Sequence, residues 1–227
     1  MIKEFCAENY LDIPTAITNG ANRIELCDNL AVGGTTPSKG VIQASVAYCK
    51  ARQIPVMTMI RPRKGNFHYT NTELAIMKTD LLLAKELKTS GLVFGCLDAN
   101  NCLDKPALLE LINLADGLEI TFHMAFDLIP QDKQFAALDW LADHRVTRIL
   151  THGGDAKQPL SQTLPHLKEL IAYAKGRITI LPGGQITYAN ATKIATSLGV
   201  NEVHGTKIIP PIKMLRVSEL AKMKAFA

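Results

Sequence analysis

Two cysteines of the 227-residue chain, Cys6 and Cys27, have the residue type and the position of a soft-metal site. Each lies at the C-terminal end of a short β-type run, and the two runs are consecutive. Neighbouring strands lie about 4.8 Å apart, and side chains alternate between the two faces of a strand. Both cysteines occupy positions whose thiols would point inward. Thiolates with nearby thioethers, here those of Met57 and Met59, are the ligands that select Cu(I). The sequence therefore predicts a Cu(I) site. The alternatives are that strand stagger separates the two sulfurs, or that both cysteines are simply small buried hydrophobes.

A second set of residues suits anion binding and catalysis. Arg61 and Arg63, stiffened by the proline between them, would clamp a carboxylate or a phosphate. His123 beside an acid such as Asp127 is a candidate general acid/base pair. Further anion-binding candidates follow two late β-type runs, where many barrels hold a phosphate on backbone N–H groups: Gly183, Gly184, Gly205 and Thr206. The alternative is that the diglycine only forms a tight turn and that Arg61 only neutralises buried glutamates.

These residues lie at the ends of β-type runs that alternate with helical runs along the whole chain. The β-type runs are 2–7, 23–27, 56–61, 92–97, 118–123, 148–151, 177–181 and 200–204. Helical spacing of apolar residues marks 41–52, 72–88, 106–115, 133–141, 160–174 and 189–198. Alternation of this kind predicts a parallel sheet with helical crossovers.

Eight strand–helix units of about 28 residues each leave two common architectures. One is an open doubly wound sheet, and the other is a closed (β/α)8 barrel. No GxGxxG turn follows the first strand, which favours the barrel. We therefore predict an α/β fold, a (β/α)8 TIM barrel, formed by a single domain over residues 1–227.

Strand alternation also predicts which side chains enter the barrel. Apolar residues such as Ile24 would face the helices, whereas many ionisable residues would face inward. Because buried charge is costly unless it is paired, we expect a hydrogen-bonded network inside the barrel. Its expected members are Glu25, Glu119, Glu202 and Arg61. The two alternatives are that this network only supports the barrel and that it also serves function.

Composition excludes several classes of protein. With 47% hydrophobic and 20% charged residues, the chain is globular rather than disordered. A net charge of +4 without a basic stripe argues against a nucleic-acid partner. No apolar run approaches the roughly 18 residues that cross a bilayer, and early acidic residues argue against a signal peptide. Five thinly spread cysteines predict reduced thiols in a cytoplasmic protein.

Six sequence blocks at strand ends carry a family resemblance. The longest is RIELCDNLAVGGTTPS at 23–38. The others, in chain order, are MIRPR at 59–63, VFGCLD at 93–98, FHMAFD at 122–127, LPGG at 181–184 and EVHGT at 202–206. Together they resemble the CutC copper homeostasis family over nearly the whole chain. The resemblance implies a cytoplasmic TIM-barrel protein linked to copper handling, usually a homo-oligomer, with Cu(I) ligands at Cys6 and Cys27.

The chain departs from the family pattern at several positions. Met124 stands where the family usually has arginine, which removes a cation from the predicted anion site. His152 stands where the family usually has a small or hydroxyl residue, and it would supply a further metal ligand. We therefore expect a copper homeostasis protein that binds Cu(I). The alternative is a TIM-barrel enzyme acting on a small phosphorylated or carboxylated metabolite.

Overall fold

A computed structural model describes residues 1–211, within which eight strands alternate with seven α-helices. The strands are β1 (Ile2–Glu8), β2 (Arg23–Cys27), β3 (Val56–Met59), β4 (Gly91–Phe94), β5 (Glu119–Phe122), β6 (Arg148–Thr151), β7 (Thr179–Pro182) and β8 (Glu202–Gly205). The helices are α1 (Ile13–Thr18), α2 (Lys39–Lys50), α3 (Asn71–Glu86), α4 (Lys105–Leu114), α5 (Gln131–Asp143), α6 (Leu160–Ala174) and α7 (Ala191–Leu198). None of these helices combines the length and the apolar character needed to cross a bilayer.

The strands form one parallel sheet that curves into a barrel, and the predicted (β/α)8 fold is confirmed. The hydrogen-bonded order is β7-β6-β5-β4-β3-β2-β1-β8, so the first strand pairs with the last. In residues 1–211 no backbone ladder joins β7 to β8, although these two strands are neighbours. The last part of the predicted domain 1–227, including the helix expected after β8, lies outside the described residues.

Local hydrogen bonds explain where several helices begin. Thr70 and Glu73 form a capping box at the start of α3, in which each side chain accepts from the other residue's backbone N–H. Asp104 accepts from the Ala107 N–H at 3.1 Å and starts α4. The predicted strand 56–61 is too long, because β3 ends at Met59. Arg61 therefore belongs to the loop that follows β3.

Apolar side chains form two separate layers on either side of the sheet. The outer layer packs the strands against the helices and includes Ala7, Ile24 and Leu26. The inner layer, inside the barrel, consists of Cys6, Cys27, Met57, Met59 and Val93. This division confirms the predicted strand parity. Sulfur-bearing side chains thus meet inside the barrel.

The ionic network inside the barrel differs from the predicted one. Its cations are Arg23 and Arg148, the first residues of β2 and β6. Arg23 donates to Glu4 and, at 2.7 Å, to Glu202. Arg148 donates to Glu119 at 2.6 Å and to Glu202 at 3.1 Å. Glu119 and Glu202 are therefore members, as predicted.

Arg61 is not part of this network, and that part of the prediction is wrong, whereas Glu25 reaches the network through His204, which also contacts Glu4. Network members begin their strands, except Glu4, which pairs in register with Arg23. Arg61 instead follows the C-terminal end of β3 and reaches loop carbonyl groups. Glu25 lies further along β2 and contacts a histidine and a thiol.

Candidate functional site

A cavity of about 210 Å³ opens at the C-terminal end of the barrel, where TIM-barrel active sites lie. Most of its wall is apolar, with a few polar groups among the apolar ones. The lining residues are Cys6, Glu25, Leu30, Gly33, Met59, Arg61, Phe67, His123, Met124, Leu150, His204 and Thr206. An apolar pocket with a few convergent polar groups is the usual form of a small-ligand site.

The two predicted metal-binding cysteines lie close together, and Cys6 lines this cavity. The sulfurs of Cys6 and Cys27 and a carboxylate oxygen of Glu25 all lie within 4.8 Å of one another. Cys27 Sγ donates to Glu25 Oε2 at 3.5 Å. Both cysteines are buried. Although the strand register offsets the two cysteines by two residues, their sulfurs therefore still lie close together.

His204 of β8 ties this cluster to the ionic network below it. Its Nδ1 lies 2.8 Å from Glu4 Oε1, and its Nε2 lies 3.7 Å from Glu25 Oε2. Burial lowers the pKa of His204, but the charge on Glu25 and hydrogen bonds to Cys6 and Glu4 raise it well above its usual value. His204 is thus held as a cation between two carboxylates.

Glu4 is the counterpart of that cation. Burial alone would raise the pKa of Glu4, but the hydrogen bond with His204 and the charge on Arg23 outweigh it and lower the pKa to about 2. Glu4 is therefore ionised at neutral pH. The floor of the cavity consequently carries paired opposite charges rather than a net charge of one sign.

Both thiols are protonated in the metal-free protein. The hydrogen bond with Cys27 raises the pKa of Cys6, and burial adds to this effect. The same hydrogen bond lowers the pKa of Cys27, but burial and the charge on Glu25 outweigh it and raise the pKa to about 11. A soft cation that binds here must therefore displace thiol protons.

Arg61 is fixed at the rim of the cavity by backbone carbonyl groups. Its Nη1 donates to Val32 O at 3.0 Å and to Gly34 O at 2.8 Å. Its Nη2 donates to Gly65 O at 3.0 Å, and its guanidinium lies 4.9 Å from the centre of the Phe67 ring. Within residues 1–211, Arg61 pairs with no carboxylate. The guanidinium is therefore held in place, and in the described residues its positive charge is not neutralised by a carboxylate.

His123 also packs against Phe67, with the two ring centres 4.7 Å apart. Its Nδ1 accepts from the Ala125 N–H at 3.3 Å, and its Nε2 has no partner in the described part of the chain. Burial, together with the charge on Arg61, lowers the pKa of His123 to about 3. The imidazole is therefore neutral.

Comparison with known proteins identifies the family. The model of the CutC family matches residues 1–209. The chain belongs to the CutC family. A CutC protein of Enterococcus faecalis is 60% identical over 209 residues, which cover 92% of this chain and all of that protein. The human relative, named copper homeostasis protein cutC homolog, is 41% identical over 203 residues, covering 89% of this chain and 72% of that protein.

Solved structures agree with this family assignment. A CutC crystal structure from Streptococcus agalactiae has a TM-score of 0.89 and 45% identity, and it covers 92% of this chain and 99% of that one. An aldolase named QR15 has a TM-score of 0.69 at 10% identity, covering all of this chain and 96% of that one. The second likeness shows the fold alone.

Two of the residues predicted to act on an anion lie elsewhere in this CutC barrel. Arg63 donates to Glu73 at the start of α3 and to the His68 carbonyl at 2.8 Å, so its guanidinium holds the loop after β3. Asp127 accepts from Thr151 Oγ1 and from the His152 N–H at 2.9 Å, so it supports the loop after β6. Neither residue lines the cavity.

The glycine turns of the CutC chain form a second, adjoining cavity. This space, of about 490 Å³, includes Gly184, Gly205, Thr206 and Lys207 and shares part of its wall with the first cavity. Gly183 N–H donates to the Thr151 carbonyl at 2.9 Å, so it is unavailable to an anion. The predicted anion-binding residues are therefore only partly brought together.

His152 does not serve as the extra metal ligand that its position suggests. Its Nδ1 and Nε2 contact the Gly183 and Gln158 carbonyl groups at 3.1 and 3.0 Å. Both ring nitrogens are thus engaged in joining two loops. Conversely, His204 and Phe67 line the cavity although neither is among the site residues predicted from the sequence. Inward parity in the last predicted strand is a signal that could have found His204, which pairs in register with Glu4. No sequence signal marks Phe67, which lies in a loop.

Proposed function

We propose that this CutC chain takes part in copper homeostasis by binding Cu(I) through Cys6 and Cys27. The observation that supports this most directly is the close approach of two buried thiols inside the barrel. The thioethers of Met57 and Met59 pack in the same cluster, so soft donors surround the site. The mouse and human relatives are named copper homeostasis proteins. Cytoplasmic location and homo-oligomeric assembly stay predictions.

Strand register favours a bridging ion over a disulfide at this site. Cys6 pairs with Glu25, and Cys27 pairs with Glu8, so the cysteines are diagonal neighbours offset by two residues. Strand spacing and rise then put their Cα atoms about 8 Å apart. A disulfide needs Cα atoms closer than about 7 Å. An ion between the sulfurs accommodates the longer span.

The surrounding charges suit a cation that replaces two protons. When Cu(I) binds two thiolates, the net change at the site is the loss of two protons and the gain of one positive charge. The resulting negative charge lies next to the His204 cation, which also contacts Glu4 and Glu25. His204 would therefore stabilise the loaded form electrostatically, without being a ligand.

The test is an anaerobic Cu(I) titration against a chromogenic competitor under reducing conditions. We expect Cys6→Ala and Cys27→Ala each to weaken Cu(I) binding by more than about 100-fold, since each removes one of two ligands. Cys49→Ala is the matched control, because Cys49 is equally buried but lies in the outer layer. Equal stoichiometry and affinity in wild type and Cys27→Ala would remove Cys27 as a ligand.

An enzyme acting on a small carboxylated or phosphorylated metabolite is a second candidate. It is supported by the position of Arg61 and His123 on a cavity at the catalytic end of the barrel. Asp127 would then act only by positioning the neighbouring loop. Turnover assays on a panel of small carboxylates and phosphate esters test this candidate, with Arg61→Ala as the variant expected to lose activity.

A further inference from the structure

The sulfur-bearing cluster inside the barrel faces the C-terminal cavity with only some of its members. Cys6 and Met59 line the cavity, whereas Cys27 and Met57 do not. Cys27 is fully buried, and loop backbone covers its sulfur: a Cβ atom built at Gly34 would lie 3.1 Å from Cys27 Sγ. An ion that reaches the two thiols through this cavity therefore arrives on the side of Cys6 and Met59.

Strand register places Met59 next to one of the thiols. The ladder between β2 and β3 ends with Leu26 opposite Thr58. The next residues along these strands, Cys27 and Met59, are therefore neighbours. Since adjacent strands lie about 4.8 Å apart, two such side chains on one face are within reach of each other. Both belong to the inner apolar layer together with Cys6.

Met57, the other methionine of β3, directs its thioether elsewhere. Gly91 of β4 lies opposite Met57 in the sheet. A Cβ atom built at Gly91 would lie 2.9 Å from Met57 Sδ, so the Met57 sulfur packs over this glycine. In the sheet order, β4 lies on the side of β3 that is away from β2. Met57 therefore fills space towards β4, whereas Met59 is the neighbour of a thiol.

The nitrogen and oxygen donors near the thiols suit a harder ion than Cu(I). His204 Nδ1 and Nε2 lie 2.8 and 3.7 Å from carboxylate oxygens of Glu4 and Glu25, so both ring nitrogens are engaged. The Glu25 carboxylate lies within 4.8 Å of both sulfurs, but a carboxylate is a hard ligand that Zn²⁺ accepts more readily than Cu(I) does. A third ligand that suits Cu(I) is therefore a thioether.

We propose that Met59 Sδ is a third sulfur ligand of the Cu(I) ion held by Cys6 and Cys27, and that it favours Cu(I) over Zn²⁺ at this site. The inference rests on the proposed function, because both thiolates are the other ligands. A thioether is soft and uncharged, so it binds Cu(I) and adds little to the binding of Zn²⁺. Zn²⁺ would use Glu25 with the same two thiolates instead.

The test is copper X-ray absorption on Cu(I)-loaded, reduced, full-length protein that is labelled with selenomethionine. Selenium scatters more strongly than sulfur, so a copper–selenium contact is recognised separately from copper–sulfur contacts. We expect copper in the wild type to have sulfur neighbours and one selenium neighbour. The selenium neighbour should be lost in Met59→Leu and kept in Met57→Leu, the matched control from the same strand.

Competition titrations measure the selectivity. Met59→Leu should weaken Cu(I) binding about tenfold, because both thiolates remain, and it should leave Zn²⁺ binding unchanged. Met57→Leu should leave the binding of both ions unchanged. Leucine is close to methionine in volume, so both variants are expected to fold. The selenium neighbour in the wild type is observed without any variant, so it reports on the proposal even if one misfolds.

Three outcomes would overturn the proposal and leave Cys6 and Cys27 as ligands. One is a wild-type copper ion with sulfur neighbours but no selenium neighbour. Another is a selenium neighbour that persists in Met59→Leu, which would assign the contact to a different methionine. The third is equal weakening of Cu(I) and Zn²⁺ binding in Met59→Leu, which would remove the selectivity. A copper ion without any sulfur neighbour would instead refute the proposed function, and this inference with it.

Discussion

The two ends of the barrel interior contain the same kinds of side chain but pair them differently. At the N-terminal end, Arg23 and Arg148 donate to three carboxylates, and Arg148 Nη1 and the hydroxyl of Thr121, its register partner, have no partner in the described residues. At the C-terminal end, Arg61, His123 and Glu25 each keep an unpartnered atom.

This difference in pairing distinguishes side chains that support the barrel from side chains that are candidates for function. A buried charge that forms an ion pair within the barrel links its strands and has no hydrogen-bonding group left for a ligand. An unpaired buried polar group destabilises the fold, because it has lost its hydrogen bonds to water. Such groups are therefore expected at sites where a ligand supplies the missing hydrogen bond. We therefore propose that the N-terminal network supports the barrel and that the cavity at the C-terminal end serves function.

Breaking the N-terminal network should have the largest effect on stability. Arg23→Met leaves Glu4 and Glu202 buried with less compensation, and we expect the free energy of unfolding to fall by about 3–5 kcal/mol. Urea unfolding measures this. The control is Arg177→Met, which removes an exposed pair with Asp139 and should cost less than about 1 kcal/mol. Similar losses in both variants would contradict a special role for the buried network.

A smaller loss of unfolding free energy should follow from adding a side chain at Gly95, next to His123 in the C-terminal cavity. A Cβ atom at Gly95 would lie 2.7 Å from His123 Cε1 and 2.8 Å from its Nδ1. Gly95→Ala should therefore displace the His123 ring and cost about 1–3 kcal/mol of unfolding free energy. Gly40→Ala is the matched control, because its Cβ meets nothing within 4 Å and it lies in α2, where alanine should stabilise slightly. An unperturbed Gly95→Ala variant would show that the ring is loosely held.

Acid should destabilise the protein through His123. The pKa of this group is about 3 in the folded protein and about 6.5 in the unfolded chain, so below pH 6.5 the unfolded state binds the extra proton. Between pH 7.5 and 5, wild type should lose about 2 kcal/mol relative to His123→Phe, which cannot take up that proton. Unfolding curves at both pH values check this, and parallel losses in the two proteins would mean that His123 titrates normally.

At pH 7.5 the same substitution should have the smallest effect. His123→Phe removes one unpaired nitrogen but leaves the Ala125 N–H without its acceptor, so the unfolding free energy should fall by about 1 kcal/mol. The contrast with Arg23→Met sharpens the comparison of the two ends. A loss above about 3 kcal/mol in His123→Phe would place His123 among the supporting residues instead.

Much of the fold follows from local patterns in the sequence. Alternating β-type and helical runs predict the barrel, and the apolar alternation at Ile24 and Leu26 predicts which side chains face the helices. Capping residues such as Thr70 and Asp104 mark helix starts because their side chains satisfy free backbone N–H groups. Strand ends such as that of β3 are less predictable, since barrel curvature decides where pairing stops.

The site is predictable only where strand parity decides it. Cys6 and Cys27 come together because both face inward on paired strands. The sequence predicts site roles for Arg63 and Asp127 from their loop positions. The partner of a loop side chain depends on tertiary geometry, however, and Arg63 pairs with Glu73. Phe67 enters the cavity from a loop, and no sequence period places it there.

The central claim, that the two buried thiols hold Cu(I), is tested most directly by copper X-ray absorption on Cu(I)-loaded, reduced protein. We expect sulfur neighbours in wild type, with one replaced by a lighter atom in Cys27→Ser and both lost in the variant that combines Cys6→Ser and Cys27→Ser. A copper site without sulfur in wild type, or an unchanged spectrum in the doubly substituted protein, would contradict the claim.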